Sequence, residues 1–538
     1  MIRELGKLLR GVKVQLDKKG YDDTAAEREN PLDPGISKNL AENIASIARH
    51  FHESSDFVKR EFVISSANRR GAVLFIDGMV NQNTIDQTIL EPLILESRKI
   101  ERSSAKDMST MQDIKERILI SSELVVTRKL SEITEKLLIG DTILLVDGED
   151  SAIAANTKGW EKRAIAEPLT ESVIRGPRQG FTESIRTNTA LLRRIIRNRD
   201  LKFDSLVLGE RSSTSICVAY IETIANPGIV SLVKERLNKI DVSEVLSSGL
   251  IDEMFEEGPA TIFETIAYSE RPDVVAAKLL EGRVAVIVDG TPFVLTMPML
   301  FIENFISSED YTYRVGTATF LRLLRVFCYF LSLSAPATYI ALANFHQELI
   351  PIPLLFTMSA SSEGLPFSSA VEMSVMLFIY EILQEAGIRL PKPIGQTISL
   401  VGALVMGQAA VEAGIVGAPV MIIVSITAVT SFVTPTLSGS SSMLRWLLIF
   451  TSAMFGGIGI TITLFCIYLH IVSLTSLGVP ILSPIAPIQR QDLKDTIVRA
   501  PLWRMKTRPA ALKPMDLVRQ DIEKPFSKAD GPPNGGNK

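Results

Sequence analysis

The feature that most constrains this chain is where its charges are missing. From Val326 to Pro480, 155 residues carry nine charged side chains and no aspartate. The other 383 residues carry 109 charges, so the two parts are about 6% and about 28% charged. A helix at the surface of a soluble protein keeps a polar stripe toward water. Stretches without one need a different solvent, and a bilayer supplies it. The fold class expected is multidomain. A mixed α/β cytosolic N-terminal domain precedes an all-α transmembrane domain and a basic C-terminal tail.

Composition narrows the function. Lys+Arg total 57 against Asp+Glu 61, a net charge of −4, which argues against a nucleic-acid binder. Three cysteines cannot build a disulfide scaffold. Four histidines, with no C-x-x-C and no H-E-x-x-H, leave little for zinc. No cofactor is expected. No nucleophile–base or metal constellation stands out, so an enzyme is not expected. Met1 to Gly20 has no apolar run or small-residue cleavage site, and the first part of the chain is expected in the cytosol.

Turn signals and hydrophobic pattern suggest five segments. They are an arm at 1–35, a first α/β subdomain at 36–160, and a second with its membrane connection at 161–312. A helical transmembrane domain at 313–488 and a basic tail at 489–538 follow. An apolar run ends in Asp-Gly three times, at Asp77-Gly78, Asp147-Gly148 and Asp289-Gly290. Glycine accepts positive φ and aspartate offers a local acceptor, so these read as hairpins or tight turns. The basic segment holds Arg175, Arg178, Arg186, Arg193 and Arg194. Two readings stay open for it: a solvated or salt-bridged helix face, or a docking surface for an acidic partner or lipid headgroups. Gly176-x-x-x-Gly180 is not a phosphate loop, because no Gly-Lys-Ser/Thr follows.

Four stretches are candidates to cross a bilayer: Val326 to Phe345, Pro393 to Val411, Ala413 to Pro435 and Trp446 to Leu469. Arg322 and Arg325 precede the first, and the tail after Ile488 carries a net +5. Both flanks are therefore expected in the cytosol, with an even number of crossings, four favoured and up to six. Glu381 and Glu385 share a helix face, while Glu372 lies opposite Glu381. Carboxylates on both sides cannot all face lipid, so Glu372, Glu381, Glu385 and Glu412 are the ion-path candidates. Pairing of Glu381 and Glu385 with Arg389 or Lys392 is the structural alternative. Ser399, Ala403 and Gly407 form a small-residue stripe, read either as a subunit seam or as packing within the chain.

Several motifs together resemble a known family. They are ESVIRGPRQGFTES with TNTALLRR, SERPD with LLEGRVAVIVDGTPF, FHQELIP, EILQEAGIRLP with IGQTISLVGALVMGQAAVEAGIV, and PLWRMKTRP. In this order they look like the A subunit of GerA-type nutrient germinant receptors, over about Ser37 to Arg519. One position departs: Ser362 stands where the family usually has Arg before Glu363-Gly364-Leu365-Pro366-Phe367. The resemblance implies a multi-pass protein of the spore inner membrane with cytosolic termini and a cytosolic N-terminal domain of two subdomains. It implies a transporter-like B subunit, a lipoprotein C subunit and a homo-oligomeric ring, expected as a pentamer, that releases cations when nutrient binds. A non-conducting scaffold or relay subunit and a secondary transporter are the alternatives. The transporter lacks support from any two-fold repeat in the apolar block.

Overall fold

The computed structural model describes residues 35–65, 69–95, 123–159, 175–257, 261–389 and 407–520, with isolated positions between 111 and 173. The expected arm at 1–35 falls, but for Gly35, outside the described residues.

Two α/β subdomains lead the chain. The first holds α1 (Leu40–His50), β1 (Phe57–Ile64), β2 (Arg69–Ile76), β3 (Leu124–Thr127), α2 (Leu130–Ile139), β4 (Thr142–Val146) and β5 (Ala152–Ala155). The second holds α3 (Ile185–Ile195), β6 (Leu201–Leu208), β7 (Thr214–Ile221), β8 (Ala267–Ser269), α4 (Pro272–Leu280), β9 (Val284–Val288) and β10 (Val294–Met297). Each forms a five-stranded antiparallel sheet, in the orders β1-β2-β4-β5-β3 and β6-β7-β9-β10-β8.

The two orders are one topology used twice, and the local chemistry repeats with it. Asp147 accepts from the Leu40 amide at 3.2 Å, and Asp289 from the Ile185 amide at 2.9 Å. Each aspartate thereby caps the first helix of its own subdomain. Asn43 bonds both backbone groups of Ser37, and Asn188 does the same with Thr182. The three Asp-Gly glycines all have positive φ, from 78° to 86°. Asp147-Gly148 and Asp289-Gly290 close hairpins between paired strands. Asp77-Gly78 does not; it leads from β2 into the helical turn Gln82–Ile85.

The subdomains are joined by a buried ion pair. Arg193, on α3, is fully buried and donates from Nε to Asp56 at 2.8 Å and from Nη2 at 2.9 Å. Its guanidinium also lies over the Phe203 ring. This corrects the docking reading for Arg193, which is inside the molecule because Asp56 of the first subdomain neutralises it. Arg186 pairs with Asp77, also across the joint. Arg175 and Arg178 are exposed and Arg194 is half-buried.

Among the described residues, two stretches are long and apolar enough to cross a bilayer, Val315–Asn344 and Pro435–Ser473. The apolar helices are α5 (Val315–Asn344), α6 (Ile352–Ser362), α7 (Ser369–Arg389), α8 (Ala418–Ser431) and α9 (Ser438–Ser473). The last is bent back on itself. Gly456 has φ 61° and ψ −139°, and Thr463 Oγ1 donates to Thr451 Oγ1 at 3.0 Å. Twelve residues of straight helix would separate those hydroxyls by about 18 Å. The expected single span from Trp446 to Leu469 is thus corrected to a helical hairpin turning at Gly456. Each arm is about 26 Å long, close to the thickness of a hydrocarbon core.

The chain then returns to the second subdomain. Ser476 Oγ donates to the Thr265 carbonyl at 2.6 Å, and the Met515 amide donates to the Ile224 carbonyl at 2.9 Å. Arg508 donates to Leu280 O at 2.8 Å. Residues 489–520 are therefore not a separate tail, since Arg508 and Met515 bond them to the α/β module. At the foot of α5, Arg322 is fully buried between Asp310 at 2.9 Å and Asp495 at 2.8 Å, and it donates to Thr496 O. Arg325 shares Asp310 at 2.9 Å.

Below this foot, Glu303 is held by Arg283 and by Lys278 at 3.0 Å. Burial alone would raise its carboxyl, but Arg283 first and then Lys278 hold it down at about 2. A lowered folded pKa stabilises above the ordinary carboxylate range, and that stability is lost as pH falls toward 2. Glu303→Gln should cost about 3 kcal/mol at pH 7, because it strands buried cations. Thermal melts from pH 7 to pH 2 should show the gap from the parent protein closing below about pH 4. A pH-independent gap would show that the ion pairs are not its source.

Candidate functional site

The candidate residues cluster on α7 and its neighbours. Glu372 lies in the first turn of α7 and is buried. Its Oε2 accepts from the Gly417 amide at 2.9 Å, just before α8. A carboxylate at a helix N-terminus offsets the partial positive charge of unpaired amides. Nine residues along, Glu381 faces the other way, toward α9. Arg445 donates from Nη1 to Glu381 Oε1 at 3.1 Å and from Nε to the Ser332 carbonyl of α5 at 3.0 Å. Ser442 donates to the same carboxylate oxygen. One ion pair thus ties α5, α7 and α9.

Glu381 is therefore paired with Arg445, 64 residues distant, while Lys392 lies outside the described residues. Glu385 does pair with Arg389, at 2.6 Å on an exposed surface. The structure so separates Glu381 from Glu385 in role, although they share a helix. Glu412 accepts from Gln408 at 2.8 Å and is exposed.

Of the small-residue stripe, Ser399 and Ala403 lie outside the described residues. A Cβ built on Gly407 would stand 2.4 Å from Met421 Cε of α8, so this glycine permits close packing within the chain. Gly456 has the same quality: a Cβ there would meet Phe345 at 2.8 Å. The neighbouring Gly457 amide donates to His346 Nε2 at 3.3 Å, which joins the hairpin turn to the end of α5.

Directions of the helices follow from these contacts. Arg445 meets Ser332 and Ser452 meets Ala337, so α5 and the first arm of α9 run the same way. Glu372 meets Gly417 and Tyr380 meets Ser431, so α7 and α8 also share a direction. Among the described residues, no group of three or more His, Cys, Asp or Glu side chains could hold a metal ion. The polar centre within the apolar helices is carboxylate and guanidinium, suited to pairing charges or to dwelling ions.

Sequence reasoning missed the Arg322–Asp310–Asp495 node. The signal was present in Arg322 and Arg325, three apart and about two to three turns inside an apolar helix. They were read as flanking charges, but a flank would point to solvent.

A double α/β module carrying a block of long apolar helices with internal ion pairs defines the class. The chain belongs to the GerA spore germination protein family of Bacillus and Clostridium, whose pattern matches residues 45–511. It is 42% identical over 497 residues to spore germination protein KA of Bacillus subtilis, covering 92% of this chain and 90% of that one. It is 36% identical to spore germination protein GerLA of Bacillus cereus, covering 91% and 99%. A crystal structure of the N-terminal domain of the A subunit of the Bacillus megaterium spore germinant receptor GerK3 aligns with a TM-score of 0.38 and 31% identity. It covers 50% of this chain and 98% of that chain.

Glu372→Ala should destabilise the full chain in detergent by about 1–3 kcal/mol, since it leaves the Gly417 amide buried and unpaired. Glu372→Gln, which keeps an acceptor oxygen, should cost less. Thermal unfolding followed by circular dichroism ranks the two; equal losses would discard the cap.

Proposed function

We propose that this protein is the A subunit of a nutrient germinant receptor. In this reading it works in the spore inner membrane beside a transporter-like B subunit and a lipoprotein C subunit. It conducts cations as a homo-oligomeric ring, expected as a pentamer, when the partner senses nutrient. Family membership over residues 45–511 is the observation that carries the receptor role. The conducting role is supported by charged side chains held inside apolar helices, which are expensive in lipid unless function keeps them.

The same contacts support a topology. The C-terminal segment packs on the second subdomain, so both ends of the apolar block lie on one side. α5 leaves that side, and α7 returns. With the span expected from the sequence at Pro393 to Val411, most of which lies outside the described residues, taken as the next passage out, α8 returns, and the arms of α9 go out and back. On this reading there are six crossings with both termini cytosolic, and Arg389 lies at the cytosolic face as the positive-inside rule asks. A cysteine placed at Arg504 should stay unlabelled by an impermeant reagent in intact cells; strong labelling there would overturn the six-crossing topology.

The scaffold reading has one observation in its favour, the engagement of Glu381 by Arg445. Reconstitution separates the two. Purified protein in liposomes should pass monovalent cations if it conducts. Glu381→Gln with Glu385→Gln should slow that flux several-fold if the pair of carboxylates lines the path. Glu381→Gln alone leaves Arg445 buried without its partner, at a cost of about 3–5 kcal/mol. Protein level and thermal stability are therefore measured beside flux. Absence of flux through well-folded protein would favour the scaffold.

A further inference from the structure

The second subdomain, the returning C-terminal segment and the feet of the apolar helices enclose a cavity of about 720 Å³. Lys278, Arg283 and Glu303 lie on its α/β wall, and Lys494, Arg504 and Arg519 on the C-terminal wall. Val433 and Pro435, from the connection between α8 and α9, border it on the membrane side.

Formal charges around this cavity balance, but their partners do not. Most of the acids are engaged. Glu303 is held by Lys278 and Arg283, Asp495 by Arg322, and Asp273 by Arg271 at 2.6 Å. Asp492 accepts from the Ala510 amide at 2.7 Å, and Glu171 from the Ser269 hydroxyl at 2.7 Å. Glu281 lies 3.5 Å from Arg283. Glu264 is left, and burial, then Asp252, pushes its carboxyl up to about 7, which reduces its charge near neutral pH.

The cations are different. Lys494, Arg504 and Arg519 form no ion pair within 4 Å among the described residues, although Arg519 lies near enough to Glu281, and Lys494 to Asp492, to attract those carboxyls at longer range. Arg504 stacks on Trp503 at 4.8 Å, which fixes its plane without neutralising it. Deeper in, Arg283 is 3% exposed, and its Nε has no hydrogen-bond partner among the described residues. A buried N–H of a guanidinium is costly to leave unmade.

We propose that this cavity binds a small multivalent oxyanion, a phosphate-bearing group, with Arg504 and Arg519 as its principal holders. Planar guanidinium groups match phosphate oxygens two at a time, and Lys494 adds a point charge at the mouth. The phosphate could come from two sources: a lipid headgroup, entering beside Val433 and Pro435, or a free molecule from the cytosol. The proposal also gives work to the run Pro501–Pro509, which the family match leaves without a role. It needs no ion conduction, so its failure would leave the proposed function standing.

The test uses the full chain in detergent and inorganic pyrophosphate as the probe. Titration calorimetry should show saturable binding, weakened at least about tenfold in Arg504→Gln with Arg519→Gln. Native mass spectrometry should then separate the sources. Co-purified anionic phospholipid, displaced by pyrophosphate and lost in the double variant, identifies the headgroup. Pyrophosphate binding without retained lipid identifies a free phosphate compound. Neither arginine has an ion-pair partner within 4 Å to lose, and Arg519 acts on Glu281 only at longer range, so the melting temperature of the double variant should stay near that of the parent. If it unfolds, Lys494→Gln at the mouth should still weaken pyrophosphate by about threefold. Absence of both ligands from the parent protein, or equal binding by every variant, would overturn the proposal.

Discussion

The architecture depends on one buried guanidinium. Taking a charge out of water costs several kcal/mol, so a fully buried arginine persists only where its charge is paired. Arg322 is paired through Nε and Nη1 by two separate stretches of chain, while its Nη2 has no hydrogen-bond partner among the described residues. Asp310 comes from the connection out of the second subdomain, Asp495 and the Thr496 carbonyl come from the returning C-terminal segment, and the Tyr311 ring covers its face at 5.5 Å. The start of α5 is thereby locked to both strands of chain that join the α/β module to the apolar helices. A rotation of the module cannot leave α5 where it was without breaking a charge-assisted bond. Arg499 adds to the node by donating to the Tyr313 carbonyl at 2.8 Å.

The duplication explains why the C-terminal segment folds back where it does. In the first subdomain the chain beyond β5 runs beside the end of β2, and the Gly159 amide donates to the Met79 carbonyl at 3.3 Å. In the second subdomain the chain beyond β10 departs toward α5, and the matching carbonyl, Ile224, would lose its donor. Met515 supplies it at 2.9 Å, and Pro514 packs at Gly282, the counterpart of Gly140. The second subdomain is thus completed by residues more than 200 positions later. A loop that long adds little further closure entropy for each added residue, so the arrangement is thermodynamically tolerable. It does make the module's completion contingent on the helices between being placed first.

Much of this was legible in the sequence, and what was not has identifiable causes. The missing charges located the apolar helices, and Asp-Gly after β-branched runs located two hairpins. The duplication was also written there. Lys136-Leu-Leu-x-Gly140 before Val146-Asp147-Gly148 recurs as Lys278-Leu-Leu-x-Gly282 before Val288-Asp289-Gly290. It escaped because Asp77-Gly78 offered a third match that obscured the spacing of 142 residues. Arg193 and Arg322 were misread for one reason: each is neutralised by an aspartate more than ten residues away, and local patterns carry no information on distant partners. The turn at Gly456 was hidden by composition, since an apolar hairpin and an apolar rod read alike until a close approach is seen.

The ion pair between Glu381 and Arg445 is where stability and function pull apart. A pair of this kind seldom outperforms well-packed hydrophobic residues, because desolvation offsets most of its attraction. Surrounded by apolar helices, Arg445 at 3% exposure would be a liability if packing alone were the requirement. Its geometry shows what it supplies instead. By holding Ser332 of α5 and Glu381 of α7 at once, it sets the rotation of three helices in a way apolar contacts cannot, since those tolerate slippage. The carboxylate is engaged through Oε1 alone, which leaves Oε2 outside both bonds. In the conducting reading proposed above, an oxygen with spare acceptor capacity, on a helix whose neighbours are fixed in register, is what a transient cation would meet. That proposed contact would require the same placement of α7 as the structural lock.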